Sequence, residues 1–232
     1  MQLVLGLGNP GRRYADTRHN IGYWCVEALA RRLNLAWTEP DAAYRAATGE
    51  GPAGPLTLLQ PLTYMNRSGE ALAAWSRRSG WAVGPTPAVD EASAGETDPD
   101  APAPAIVPVV VCDDIHLTLG SIRIRAGGSA GGQNGLASVI ATVGGDAVPR
   151  LRLGVGPLQG AVDPADWADY VLAPFAGDER EKAAALALDG AEALADLLAA
   201  GPGPAGARHN RRVRPEPAGP PGGDGPLPPE GR

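Results

Sequence analysis

Cysteine, net positive charge and long apolar runs are all scarce in this 232-residue chain, and each shortage closes off a class of protein. The two cysteines, Cys25 inside a helical pattern and Cys112 at the end of a strand pattern, give no disulfide framework and suit a reducing compartment. No apolar run approaches the roughly 20 residues that span a bilayer, and the first residues enter strand-like sequence without a basic stretch or a cleavage site. The expectation is a cytoplasmic protein with no membrane contact. A net charge of -6 argues at first against a nucleic-acid partner, because phosphate contacts need clustered Lys and Arg. The distribution weakens that objection. Residues 82–105 hold Asp90, Glu91, Glu96, Asp98 and Asp100 and no base, so the remainder is close to neutral and local patches decide binding.

What is present suffices for one sizeable core, with 44% of residues hydrophobic. Strand signals occur at 2–7, 56–60, 106–112, 121–125 and 151–155, with a weaker one at 43–48. Helical patterns lie between them: Ile21, Cys25, Ala28, Leu29, Arg32 and Leu33 keep the 3.6 period, shorter helices fit 67–78 and 135–143, and 178–200 reads as a long terminal one. Strands alternating with helices predict an α/β layered domain over residues 1–200 with a largely buried sheet. The acidic insert 82–105 and the Pro/Gly-rich tail 201–232 stand outside this pattern and are expected to be disordered.

Two glycine motifs invite an enzyme reading and fail it. VLGLGNPG, residues 4–11, fits the dinucleotide loop G-x-G-x-x-G, but the helix that should hold the pyrophosphate begins only at Ile21, and Glu27 sits mid-helix where a ribose-binding acid should end a second strand. GGSAG, residues 127–131, fits a nucleophile elbow, yet the only later histidine is His209, in the tail. A metal site from Cys112, Asp113, Asp114 and His116 fails because four adjacent residues on one strand end cannot converge on one ion.

Polar residues instead gather at element ends: Asn9 after the first strand, His19 and Asn20 before the first helix, Asn66 before another, Asp113 at the end of a central strand, and Asn134 opening the helix after the glycine loop. In an open α/β sheet ligands bind at the carboxyl edge of the strands, where these side chains could converge. Each also has an ordinary use: Asn9-Pro10-Gly11 as a turn, Asn20 and Asn66 as helix caps, Asn134-Gly135 as a turn dipeptide. Arg123, Arg125, Arg150 and Arg152 lie on or beside two strands next to the glycine loop, a compact basic group whose plain alternative is a solvated sheet edge. The RHN at 208–210 repeats residues 18–20 but has no apolar context.

The ordered combination GLGNPG, YADTRHNIG, PLTYMNRSGEAL, VVVCDDIHLTLGSIRIR, GGSAGGQNGL, RLRLGVG and DYVLAPF resembles the bacterial-type peptidyl-tRNA hydrolases over roughly residues 1–200. The resemblance implies one α/β domain of three layers, with a mixed, twisted central sheet flanked by helices, acting as a monomer without metal, nucleotide or other cofactor. It implies hydrolysis of the ester joining peptide to tRNA in peptidyl-tRNA. The family's catalytic histidine falls on His19 and its partner aspartate on Asp113; its substrate-binding positions fall on Asn9, Tyr14, Met65, Asn66 and Asn134; its tRNA phosphate positions fall on Arg125 and Arg152, with Arg123 and Arg150 beside them. Imidazole can take a proton from water near neutral pH, an aspartate accepting the other ring N–H fixes the tautomer, and carboxamides can donate to the carbonyl oxygen as it gains charge.

Three departures stand out. Gln133 occupies the place of a histidine common in the family and cannot titrate. The loop PLQGAVDPADWA after Gly156 lacks the bases often found there, a loss the Arg208–Arg214 cluster could partly offset. The insert 82–105 looks foreign to the family. Some relatives of this fold bind RNA without hydrolysis, and that alternative stays open at the level of sequence.

Overall fold

A computed structural model of the chain describes residues 1–85 and 105–214. Six strands, β1 (Gln2–Gly6), β2 (Tyr44–Gly51), β3 (Gly54–Pro61), β4 (Val109–Thr118), β5 (Ile122–Arg125) and β6 (Arg150–Gly156), form one sheet in the order β2-β3-β1-β4-β6-β5. The four central strands are parallel, while β2 and β5 pair antiparallel at the two edges. The mixed sheet expected from the sequence is therefore a parallel centre closed by an antiparallel strand on each side. The weak signal at 43–48 is a full edge strand, β2, turned back from β3 at Gly54, whose φ of 100° suits glycine.

Helices α1 (Ile21–Arg32) and α5 (Glu179–Ala200) cover one face; α2 (Ser68–Ser79) and α3 (Asn134–Val143) cover the other. Strand alternation sorts the side chains between the two cores. Val4, Val111, Leu151 and Leu153 pack toward α1 and α5, whereas Leu3, Leu5, Val110 and Cys112 pack toward α2 and α3. The same alternation explains why Cys112 and Asp113 cannot serve one ion: adjacent residues face opposite sides. Helix α1 sits close enough to the sheet that a Cβ on Gly22 would lie 2.5 Å from the Leu7 carbonyl and 2.6 Å from the Val111 carbonyl, and one on Gly6 would lie 2.7 Å from the Gly22 carbonyl. Glycines in the opening motif thus admit a helix rather than a phosphate.

Two helices were not expected. The short α4 (Trp167–Leu172) follows the loop after β6, and α6 (Pro202–His209) lies inside the stretch read as disordered tail. The chain stays tied to the sheet as far as Val213, whose N–H donates to Ser121 Oγ at 2.9 Å. Proline at the start of α6 costs no helical hydrogen bond, and Ala205 packs into the α1/α5 core. Asn210 then accepts from the Ile124 N–H (2.6 Å) and Arg211 exchanges backbone hydrogen bonds with Ile122 (3.0 Å each), so this segment covers the otherwise open edge of β5. Arg208 and His209 both bind the Asp196 carboxylate of α5, at 2.9 and 2.8 Å. The RHN repeat, without apolar context in the sequence, is a clasp. The ends of the insert are also paired, Ile106 N–H donating to the Ala82 carbonyl at 2.9 Å. The rest of the insert (86–104) and of the tail (215–232) lies outside the described residues.

Among the described residues no helix is long and apolar enough to cross a membrane, and no group of three or more His, Cys, Asp or Glu could hold a metal ion. Cys25 and Cys112 are buried free thiols, pushed far above their ordinary range by burial.

Candidate active site at the carboxyl edge of the parallel strands

A cleft of about 580 Å³ opens where the parallel strands end, lined by Asn9, His19, Met65, Asn66, Asp113, Gln133, Asn134 and Arg152 among others. A larger groove of about 850 Å³ runs between α1 and α5 and shares only Asn9 with it; the cleft holds the chemistry.

His19 sits in a 3-10 turn, Arg18–Asn20, that leads into α1. The turn is fixed from both sides of the histidine. Arg18 is buried, donates to the carbonyls of Ala173 (3.2 Å) and Pro174 (3.0 Å) and pairs with Glu179 (2.5 Å), tying the turn to the start of α5. Asn20 does not cap α1 through its side chain, as expected, but clamps the backbone of Asn9: its Oδ1 accepts from the Asn9 N–H (2.8 Å) and its Nδ2 donates to the Asn9 carbonyl (3.0 Å). Between these anchors His19 Nδ1 lies 2.8 Å from Asp113 Oδ2. With Nδ1 so engaged, Nε2 is the ring nitrogen left for the cleft. Burial is the largest single influence on the imidazole and pushes its pKa down, but the charge of Asp113 and the hydrogen bond to it together leave it above the ordinary 6.5.

Asp113 lies within β4, which continues to Thr118 rather than ending at Cys112 as the sequence suggested. Its second oxygen, Oδ1, accepts from Gln133 Nε2 at 2.9 Å. Gln133 does more than stand in for a histidine. Its Oε1 caps α3 by accepting from the Leu136 N–H (2.7 Å), and its Nε2 also reaches Met65 Sδ (3.3 Å). Gly135 leaves room for both, since a Cβ there would fall 2.4 Å from Met65 Sδ.

Asn9 is buried, and its Oδ1 accepts from the Met65 N–H (2.8 Å), so the carboxamide is oriented with Nδ2 unclaimed among the described residues. Asn66 and Asn134 are exposed on the cleft wall, on the turn before α2 and in the first position of α3. Asn66 makes no cap: the residue before α2 is Arg67, and no side-chain cap is formed there. Tyr14 falls outside the cleft lining; its ring meets Tyr64 edge-on at 6.5 Å, and Tyr64 is the aromatic that faces the cleft, 56% exposed. Sequence reasoning also missed the apolar wall opposite, Trp167, Val171 and Leu172 of α4, with Trp167 edge-on to His116 at 4.7 Å. An i, i+4, i+5 apolar spacing at 167, 171 and 172 was the available signal.

The basic group divides in two. On β5 and β6 the register sets Arg123 opposite Arg152 and Arg125 opposite Arg150, all on one sheet face, an arrangement of like charges that is unfavourable unless compensated. Arg150 is compensated completely and is removed from the surface. It is 2% exposed and donates to the carbonyls of Val148, Gly128, Ser129 and Asp146 at 2.5–2.9 Å, so it braces the glycine loop and has no face to offer a phosphate. Arg152 lines the cleft and is paired with Asp114 at 3.0 Å. Arg123 and Arg125 have no partner among the described residues, and Arg125 is exposed.

This constellation has close parallels. A family model described as peptidyl-tRNA hydrolase matches residues 3–83 and 103–216, leaving out residues 84–102 of the acidic insert. The chain is 39% identical over 188 residues to the peptidyl-tRNA hydrolase of a Nostoc species, covering 78% of this chain and 80% of that one. It is 33% identical over 210 residues to that of Dehalococcoides mccartyi, covering 90% of this chain and all of that one. The crystal structure of peptidyl-tRNA hydrolase from Acinetobacter baumannii superposes with a TM-score of 0.70 at 29% identity, over 91% of this chain and 95% of that one. With the fold, the ordered motifs and near-complete coverage in agreement, the chain belongs to the peptidyl-tRNA hydrolase family.

Proposed function

We propose that this chain is an enzyme that hydrolyses the ester between peptide and tRNA in peptidyl-tRNA, recycling tRNA released prematurely from ribosomes, with His19 as the base that activates water. The observation that carries the reading is the His19–Asp113 contact of 2.8 Å at the floor of a cleft flanked by carboxamides. A neutral His19 takes a proton from water at Nε2 while Asp113 accepts the Nδ1–H, holding the tautomer and stabilising the imidazolium that forms. The resulting hydroxide equivalent attacks the ester carbonyl. As charge develops on the carbonyl oxygen, the unclaimed Nδ2 of Asn9 is placed to donate to it, and one such donor is worth about 3 kcal/mol in the transition state. The exposed Asn66 and Asn134 bind peptide amides without reading side chains, which suits a substrate whose peptide varies. The proton held by His19 then passes to the leaving ribose oxygen, so the base returns neutral.

The tRNA lies along β5, with Arg123 and Arg125 on its phosphates and Arg152 behind them; Arg150 takes no part. Tyr14 acts indirectly, by supporting Tyr64 at the cleft mouth. The protein works as a cytoplasmic monomer without a cofactor, a reading supported by the reducing-compartment use of cysteine and by a cleft whose chemistry is complete in one chain. Purified protein should release N-acetyl-amino acid from N-acetyl-aminoacyl-tRNA. Tight tRNA binding without release would overturn the reading in favour of a non-hydrolytic RNA-binding protein of the same fold.

A further inference from the structure

We infer that Gln133 is a positioning residue for catalysis, holding the Asp113 carboxylate in the one orientation that serves His19. The inference rests on the His19–Asp113 reading above and extends it by one residue. A carboxylate bonded through one oxygen can swing about its Cβ–Cγ bond, and it then holds the imidazole loosely. Here both oxygens are taken, Oδ2 by His19 and Oδ1 by Gln133 Nε2. Gln133 itself is held at both ends of its amide: Oε1 is fixed by the Leu136 N–H at the start of α3, so the NH2 group can only point back toward Asp113 and Met65. The line Leu136 N–H, Gln133, Asp113, His19 thus runs from the first turn of α3 to the catalytic ring without a gap, and every hydrogen bond in it is 2.9 Å or shorter. The backbone grants the space for it, since any side chain at 135 would strike Met65 and crowd the Gln133 amide. A neutral amide has a further property that a histidine at this place would lack: it donates to Asp113 at every working pH and never adds a second cation beside His19.

Gln133 also caps a helix, so the test has to separate holding Asp113 from stabilising α3. Gln133→Ser does so, because serine is a good N-cap whose hydroxyl is too short to reach Asp113. On N-acetyl-aminoacyl-tRNA, Gln133→Ser should keep a melting temperature near that of the parent while kcat falls about ten- to a hundredfold, the range carried by one hydrogen bond to a charged group, with KM little changed. The decisive readout is a double-mutant cycle with Asp113→Asn. If Gln133 acts through Asp113, the serine substitution costs little more once the carboxylate is gone, whereas independent effects multiply. Gln133→His, which restores a ring N–H donor, should recover part of kcat. An unchanged kcat, a loss confined to KM, or multiplicative losses in the cycle would overturn the inference while leaving the His19 reading in place; that reading fails separately if the parent protein releases nothing.

Discussion

Replacing Asp113 by Asn should slow the enzyme and move its pH dependence in a direction opposite to that expected for a merely weakened fold. The substitution is isosteric, and an asparagine oxygen can still accept from Gln133 Nε2, so the strand and the cleft should persist. What disappears is one negative charge beside the ring nitrogen, and with it the acceptor there: once the amide oxygen faces Gln133, the NH2 group takes the place of Oδ2 and donates to His19 Nδ1, which favours the tautomer protonated at Nε2. For charge centres near 4 Å in surroundings of effective dielectric about 20, the imidazolium and carboxylate attract by about 4 kcal/mol. Losing that attraction from the transition state corresponds to a fall of about 10³-fold in kcat/KM. The pH profile carries the sign. His19 must be neutral to act as a base, so activity rises with pH through its folded pKa, which Asp113 holds above 6.5 against the downward push of burial. With the charge removed, burial and the amide donor both favour the neutral ring, and the acid limb of kcat/KM should drop below 6.5. The assay is release of N-acetyl-amino acid from labelled N-acetyl-aminoacyl-tRNA under kcat/KM conditions from about pH 5 to pH 9, the range that brackets the histidine pKa. A limb that stays in place or moves upward, or a rate close to that of the parent, would refute the reasoning.

Other expectations follow from the division of the basic group and from the packing. Arg123→Ala with Arg125→Ala should raise KM with kcat unchanged and reduce the slope of log KM against log salt by about one for each phosphate no longer neutralised. Arg150→Ala should act on stability instead: withdrawing the donor from four backbone carbonyls, of which that of Asp146 keeps the Gly128 N–H, costs about 3 kcal/mol, a fall near 10 °C in Tm for a domain of this size, measurable by calorimetry. Gly22→Ala forces a methyl against two backbone carbonyls that cannot move aside and should cost about 3 kcal/mol in denaturant unfolding, unlike Gly203→Ala, where the added carbon meets nothing. Asn210→Ala should uncover the edge of β5 and promote concentration-dependent association, read by light scattering.

The parts of the molecule legible in the sequence were those governed by local pattern or by motif order. Period 2 and period 3.6 located the core strands and the helices α1, α2, α3 and α5, because burial of one face is written into each segment. Asn9, His19, Asp113, Asn66 and Asn134 each looked ordinary alone; their order along the chain brought them to one edge, and the parallel centre of the sheet explains why one edge suffices. What escaped was set by partners far away in sequence. Arg150 and Arg152 alternate with leucines in the same way, yet one is buried under the glycine loop and the other faces the cleft. Asn20 was expected to cap α1 but spends its amide on Asn9, while Gln133, legible only as the replacement of a histidine, caps α3 and donates to Asp113. The segment 202–214 is rich in Pro, Gly and Arg, a composition that signals disorder, but its hydrogen bonds to Ile122 and Ile124 of β5 and to Asp196 of α5 hold it.

The central claim is that one histidine converts a pocket of carboxamides into an esterase. Single-turnover hydrolysis of N-acetyl-aminoacyl-tRNA by the parent protein and by His19→Ala, with protein in excess so that binding is saturated, tests it most directly. The account predicts that His19→Ala still binds tRNA, melts like the parent and loses at least about 10²-fold in the rate of release, the contribution of a positioned general base. Equal rates of release from the two proteins would contradict it.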